Sequence, residues 1–199
     1  DVSNYLMYEL GQPTHCYDST KINGNLVFSE LRTKEEFVTL LDKKINLTGK
    51  NSVFLLNDEI INLAGVIGGK NTSCSSQTSS VLVECAFFKP EAIIGKSVKY
   101  DIQSEASHKF ERHVDPNCHE MVARRFIKVV SDHTSIKNIS IYSQEFEQNE
   151  IHKIPVNVDK INRILGIDIN IDQYSNYLNK LGFNIIEGQI SIPQYRSDI

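Results

Sequence analysis

No apolar run in this chain approaches the ~20 residues needed to cross a bilayer, so no membrane association is expected. Basic residues are not in excess either. Lys and Arg number 21 against 25 Asp and Glu, a formal net charge of −4. That balance argues against a protein that coats nucleic acid by bulk electrostatics and leaves room only for a local RNA contact. The opening "DVSNYLMYEL" has no basic flank ahead of a hydrophobic core and is not a signal peptide. The four cysteines, Cys16, Cys74, Cys85 and Cys118, form no CxxC pair and no disulfide framework. Reduced thiols and a cytoplasmic setting are the expectation. Internal repeats and an initiator Met are also lacking, and the chain reads as a piece of a longer protein.

What is present is ordinary globular composition: 199 residues, 40% hydrophobic and 23% charged. This suits one large domain, or a domain with a small companion. "NLVFSELR" (25–32), "KINLTG" (44–49), "SVFLLNDEIINLAGVIGG" (52–69) and "SVLVECAFF" (80–88) are rich in β-branched and aromatic residues and predict strands. Asn57-Asp58 predicts a turn within the third stretch. "TKEEFVTLLDKK" carries a capping-box pattern at Thr33 and Glu36, yet its place between strands favours a strand. The polar "KNTSCSSQTSS" predicts a loop.

Asp115-Pro116 predicts a helix start, with Val122, Phe126, Val129 and Val130 on its buried face. The polar stretch 147–153 predicts a boundary between a domain at 1–146 and another at 154–199. Beyond it, one short helix runs from Val158 to Leu165 and stops at Gly166. A second carries Tyr174, Tyr177, Leu178 and Leu181 on one face and stops at Gly182. "FNIIEGQISIP" then predicts a hairpin. The expected fold is α+β: a mixed or antiparallel sheet domain with packed helices, followed by a small winged-helix-like α+β module.

Several stretches invite a chemical reading. "GQPTHCYD" sets His15 beside Cys16, but neighbours in an extended chain point to opposite faces and cannot share a proton. Cys16 then reads as packing and His15 as a structural or pocket histidine. His108, His113, Cys118 and His119 have a spacing that no common structural zinc motif uses. Gly65, Gly68 and Gly69 lack phosphate-loop spacing; they fit a tight turn or the close approach of a ligand to the backbone. Glu84 is the most informative residue, a lone carboxylate within "VLVECAFF". Alternation puts it with Leu82 and Ala86 on one face, and an unpaired buried charge costs several kcal/mol. A salt bridge to Arg112 or Arg124, or a role as pocket acceptor, satisfies it equally well.

Three stretches, "DVSNYLMYELGQPTHCYD", "LAGVIGGKNTSCSSQTSSVLVECAFF" and "SEASHKFERHVDP", resemble in order and spacing the bacterial phenylalanyl-tRNA synthetase β-subunit family. They cover its editing module, and "VDKINRILGIDI" onward resembles the domain that follows. The resemblance implies hydrolysis of tyrosine wrongly esterified to tRNA(Phe), with tRNA and an α subunit as partners in a heterotetramer. It implies substrate-binding roles for Asn4, Pro13, Gly68, Glu84 and Ala106, with Glu84 reading the phenolic hydroxyl. His15 and Ser104 take catalytic roles in orienting water or the terminal ribose. The family usually has threonine where Ser104 stands, and a pocket arginine that lies upstream of the matching motif. Asp198 matches the first ligand of a family Mg²⁺ site; Mg²⁺ and ATP are expected in the parent enzyme, and no cofactor in this chain. The competing class is a non-catalytic RNA- or protein-binding module with a vestigial pocket.

Overall fold

The computed structural model describes residues 1–145 and 151–199, so positions 147–150 of the expected boundary stretch lie outside the described residues. The chain divides into two compact units: Asp1–Val114 with Cys118–Ile139, and Asp115–Asn117 with Ser140–Ile199. Among the described residues no helix is long and apolar enough to cross a membrane.

The first unit opens with α1 (Val2–Leu10), a helix the sequence reading did not anticipate. The Asp1 side chain accepts the Ser3 and Asn4 N–H groups at its start, and Gly11 ends it in a left-handed conformation. β1 (His15–Asp18) pairs antiparallel with β6 (Val81–Glu84) as a two-stranded ribbon. Between them come β2 (Leu26–Val38), β3 (Lys44–Leu56), β4 (Glu59–Leu63) and β5 (Ile67–Gly68), which form an antiparallel sheet in that order. The stretch from Thr33 is indeed strand as far as Val38, and the two strands expected between 44 and 56 are one continuous element. Asn57 and Asp58 both have positive φ, 50° and 70°, the conformation of a tight hairpin turn.

Three short helices follow: α2 (Pro90–Ile93), α3 (Lys96–Tyr100) and α4 (Glu105–Phe110). Rings of Phe28, Phe54, Phe88 and Phe110 meet edge-on or tilted over the sheet, with Phe88 and Phe110 centred 5.0 Å apart. This cluster seats α4 on the core beside Leu47, Val53, Leu63 and Ile93. α5 (His119–Ser131) buries Val122 and Phe126 as expected, each worth roughly 1.5–3 kcal/mol, whereas Val129 and Val130, expected on the same buried face, are half-buried. Its start departs from expectation. The Asp115 side chain accepts the Asn117 N–H and closes a turn, so the helix begins only after Cys118.

The second unit contains β7 (Lys153–Pro155), α6 (Val158–Leu165), α7 (Ile171–Lys180), β8 (Asn184–Ile186) and β9 (Gln189–Ser191). Gly166 ends α6 in a left-handed conformation, and Asn170 with Gln173 forms a full capping box on α7. The expected two-stranded ribbon is a three-stranded sheet, ordered β7-β9-β8. Tyr174 and Leu178 of α7 pack against Phe183, Ile190 and Ile192, whereas Tyr177 and Leu181 are exposed. Both units mix helices with antiparallel strands, so the chain is α+β.

Candidate functional site

Strand pairing puts His15 directly opposite Glu84 and Cys16 opposite Val83. Directly opposed residues of an antiparallel pair share a face, so His15 and Glu84 project together while Cys16 projects away. Cys16 Sγ lies 3.4 Å from the Ser3 hydroxyl, and no shared proton with His15 arises. Asp18, the third member of the opening cluster, accepts from Thr20 and Thr78 and fastens loops. Tyr17 lies on the His15 face, the two rings 4.5 Å apart and nearly perpendicular.

Pro13, Thr14, His15, Asn62, Glu84 and Ala106 line one cavity, together with the turn Gly65–Ile67 and Phe110. Its volume of about 60 Å³ admits several waters at ~10–15 Å³ each. That is well below the ~300–1,000 Å³ of pockets that enclose drug-sized ligands. Gln12 is buried and donates to the Ala86 carbonyl at 2.8 Å, tying the Pro13–Thr14 segment to the end of β6.

Glu84 meets neither Arg112, which donates to the His108 carbonyl, nor Arg124, which pairs with Glu120. Its Oε2 accepts from Tyr17 Oη at 2.6 Å and from Asn62 Nδ2 at 3.3 Å. Burial pushes the Glu84 carboxyl up to about 7, and the Tyr17 hydrogen bond opposes that rise. Burial lowers His15 to about 4, so its imidazole is neutral at physiological pH. Two buried polar atoms of the lining, Thr14 Oγ1 and His15 Nε2, have no hydrogen-bond partner among the described residues. A buried polar atom without a partner is costly, and here both sit where a bound water or ligand satisfies them.

Gly68 lies in β5 opposite Asn62, and a Cβ there would overlap the His15 ring. The glycine thus makes room for the imidazole, a different use from direct space for a ligand. Ser104 also differs from its expected role. Its hydroxyl donates to the Val66 carbonyl at 2.7 Å and accepts the Ser107 N–H as the cap of α4. With its one proton committed, Ser104 fastens the start of α4 to Val66 and is not itself among the lining residues. Asn4 is exposed on α1 and is not among the lining residues.

Sequence reasoning missed Thr14, Tyr17, Asn62 and Phe110. Asn62 carried the signal that exposed Glu84, a polar residue inside the apolar strand "EIINLAG". The zinc reading gains nothing: among the described residues no group of three or more His, Cys, Asp or Glu is placed to hold a metal, and His113 packs against Phe87. Asp198 is clamped by Arg196 through two hydrogen bonds of 2.7 and 2.8 Å, which hold its carboxyl down to about 2. One carboxylate already paired with a guanidinium does not supply the octahedral oxygen set that Mg²⁺ demands.

Residues 1–135 match the B3/4 domain family and residues 154–199 match the tRNA synthetase B5 domain. Curated phenylalanine–tRNA ligase beta subunits align with the entire chain: that of Ehrlichia canis at 31% identity over 205 residues, and that of Idiomarina loihiensis at 28% over 208. Each alignment takes in 26% of the relative, so the chain spans about a quarter of the length of these proteins. An N-terminal fragment of the phenylalanyl-tRNA synthetase beta subunit from Pyrococcus horikoshii aligns at a TM-score of 0.44 and 12% identity, covering 99% of this chain and 60% of that one. The chain belongs to the B3/4 domain family, carries a B5 domain behind it, and is similar over its whole length to phenylalanine–tRNA ligase beta subunits.

Proposed function

We propose that the first unit is a proofreading hydrolase that cleaves tyrosine from wrongly charged tRNA(Phe). The supporting observation is the pairing of Glu84 and His15 on one face of the β1–β6 ribbon, both open to one cavity. Tyrosine differs from phenylalanine by one hydroxyl. A site that hydrogen-bonds this hydroxyl rejects the analogue lacking it by ~10⁴–10⁵-fold, because the site's own polar group is then left unpaired. Glu84 Oε1, with no partner among the described residues, is the acceptor.

The chemistry is attack of water on the aminoacyl ester. The lining holds no nucleophile paired with a base, so the contribution is positioning. Neutral His15 accepts a hydrogen bond at Nε2 from water or a ribose hydroxyl, and the Thr14 hydroxyl offers a second polar contact. ATP, Mg²⁺ and phenylalanine activation fall to the rest of the ligase, with an α subunit in a cytoplasmic heterotetramer, and this chain takes no step of that reaction.

The test is deacylation by the full-length ligase. Glu84→Ala is expected to reduce the preference for Tyr-tRNA(Phe) over Phe-tRNA(Phe) by about 10–100-fold, the worth of a hydrogen bond to a charged group. Unchanged preference sinks the assignment of Glu84. The small cavity favours one rival, a docking module with a vestigial pocket. That reading predicts no deacylation by the wild-type ligase above the rate of a His15→Ala, Glu84→Ala double variant.

A further inference from the structure

Glu84 has two carboxylate oxygens, and the described residues occupy only one of them. The hydrogen bonds run in one direction. Asn62 Nδ2 donates to Tyr17 Oη at 2.6 Å, and Tyr17 Oη passes its single proton to Glu84 Oε2, also at 2.6 Å. Asn62 adds a longer donation to the same oxygen. Both donors are buried, Tyr17 at 1% exposure and Asn62 at 3%, so water does not compete for these bonds. They come from separate elements, Tyr17 from β1 two residues after His15 and Asn62 from β4 opposite Gly68.

We propose that Tyr17 and Asn62 are the positioning residues of the site, saturating Glu84 Oε2 so that Oε1 alone is presented to the substrate hydroxyl. The proposal rests on the proofreading reading and deepens it. A carboxylate with two open oxygens takes a hydroxyl on either, or one hydroxyl and one water, and tells substrates apart poorly. With Oε2 filled by an internal phenol, the remaining acceptor has one place and one direction, matched to a ligand with one proton to give. Tyr17 also touches the His15 ring edge-on, so one side chain fixes the orientation of both functional groups. Burial keeps the Tyr17 hydroxyl protonated far into the alkaline range, which preserves it as a donor to the carboxylate.

Tyr17→Phe removes the donor and leaves the ring; Asn62→Ala removes the second donor. Each is introduced into the full-length ligase beside Glu84→Gln, and deacylation of both Tyr-tRNA(Phe) and Phe-tRNA(Phe) is followed from pH 5.5 to 8.5. Tyr17→Phe is expected to lower the Tyr/Phe rate ratio about tenfold. The pH at which the ratio rises is expected to move upward, because a carboxylate stripped of a donor ionises less readily. Asn62→Ala moves both readouts in the same direction and carries the test alone if Tyr17→Phe does not fold. A merely structural role lowers both rates together at every pH and leaves ratio and profile in place; that result overturns the proposal. If Glu84→Gln abolishes the ratio while Tyr17→Phe and Asn62→Ala retain it, the positioning role is wrong and the proofreading reading stands. If Glu84→Gln retains it, the reading itself falls and the proposal with it.

Discussion

Gly68 illustrates how a residue with no side chain controls one that has chemistry. A methyl group at this position runs into the His15 ring, which is itself held edge-on against Tyr17 and has little freedom to withdraw. Gly68→Ala is therefore expected to rotate the imidazole out of the cavity while the sheet stays intact. Overpacking of this kind costs about 1–3 kcal/mol. In the full-length ligase, Tyr-tRNA(Phe) hydrolysis should fall at least about tenfold, as expected when a positioned group moves by an ångström. A Gly68→Ala enzyme with wild-type hydrolysis would show that the His15 position does not matter. Gly69 is small for a different reason: a Cβ there meets the Ile61 carbonyl oxygen at 2.7 Å, a clash with backbone rather than with the His15 ring.

At the scale of elements, the β3–β4 turn offers a clean measurement. Asn57 is well used, accepting the Asn25 N–H and donating to the Asn23 carbonyl. Asp58 has φ 70° and, among the described residues, no such bond. Asp58→Gly creates the Asn-Gly pair that this turn prefers, and should stabilise the first unit by about 0.5–1 kcal/mol. A higher urea midpoint at unchanged slope is the expected result, and a lower midpoint would mean that the Asp58 side chain contributes something the backbone does not show. This turn was legible in the sequence because Asn and Asp are the residues that tolerate positive φ. The long strands were legible through their β-branched content, and Gly166 through its place after an apolar periodic run. The helices α2, α3 and α4, of four to six residues, were not. At that length hydrophobic periodicity has no second turn in which to repeat, and tertiary packing decides the conformation. The same divide runs through the site. Glu84 and His15 stood out because alternation in a strand assigns faces. Phe110 reaches the cavity from a distant helix, and no local pattern announces such an approach.

For the whole molecule, the two central groups make opposing contributions to stability. Unfolded, Glu84 titrates near 4.5 and His15 near 6.5; folded, they titrate near 7 and near 4. Glu84, raised on folding, contributes stability that is present below pH 4.5 and lost as pH rises through 7. His15, depressed on folding, contributes stability that is present above pH 6.5 and lost as pH falls through 4. Between pH 4.5 and 6.5 the unfolded chain holds one proton on His15 and the folded chain holds one on Glu84, so the proton counts match and the two slopes cancel. Other shifted groups add slope only near the acid edge of this window or well above it: Glu9, Asp18, Glu30, Asp101, Asp132 and Asp198 are held below their usual range by their partners, and burial raises the Cys16, Cys74 and Cys85 thiols. The wild-type unfolding free energy is therefore expected to be flat above about pH 5.5, and the slopes of the two variants are read relative to wild type below that. Glu84→Gln should leave the His15 slope exposed, with stability rising by about 2–3 kcal/mol from pH 4.5 to 6.5. His15→Gln should expose the opposite slope, with stability falling by a similar amount. Urea unfolding of the three proteins at half-unit pH steps distinguishes the cases. Two variants sloping in the same direction, or a wild type as steep as either, would show that the imidazole and the carboxylate do not share one buried environment.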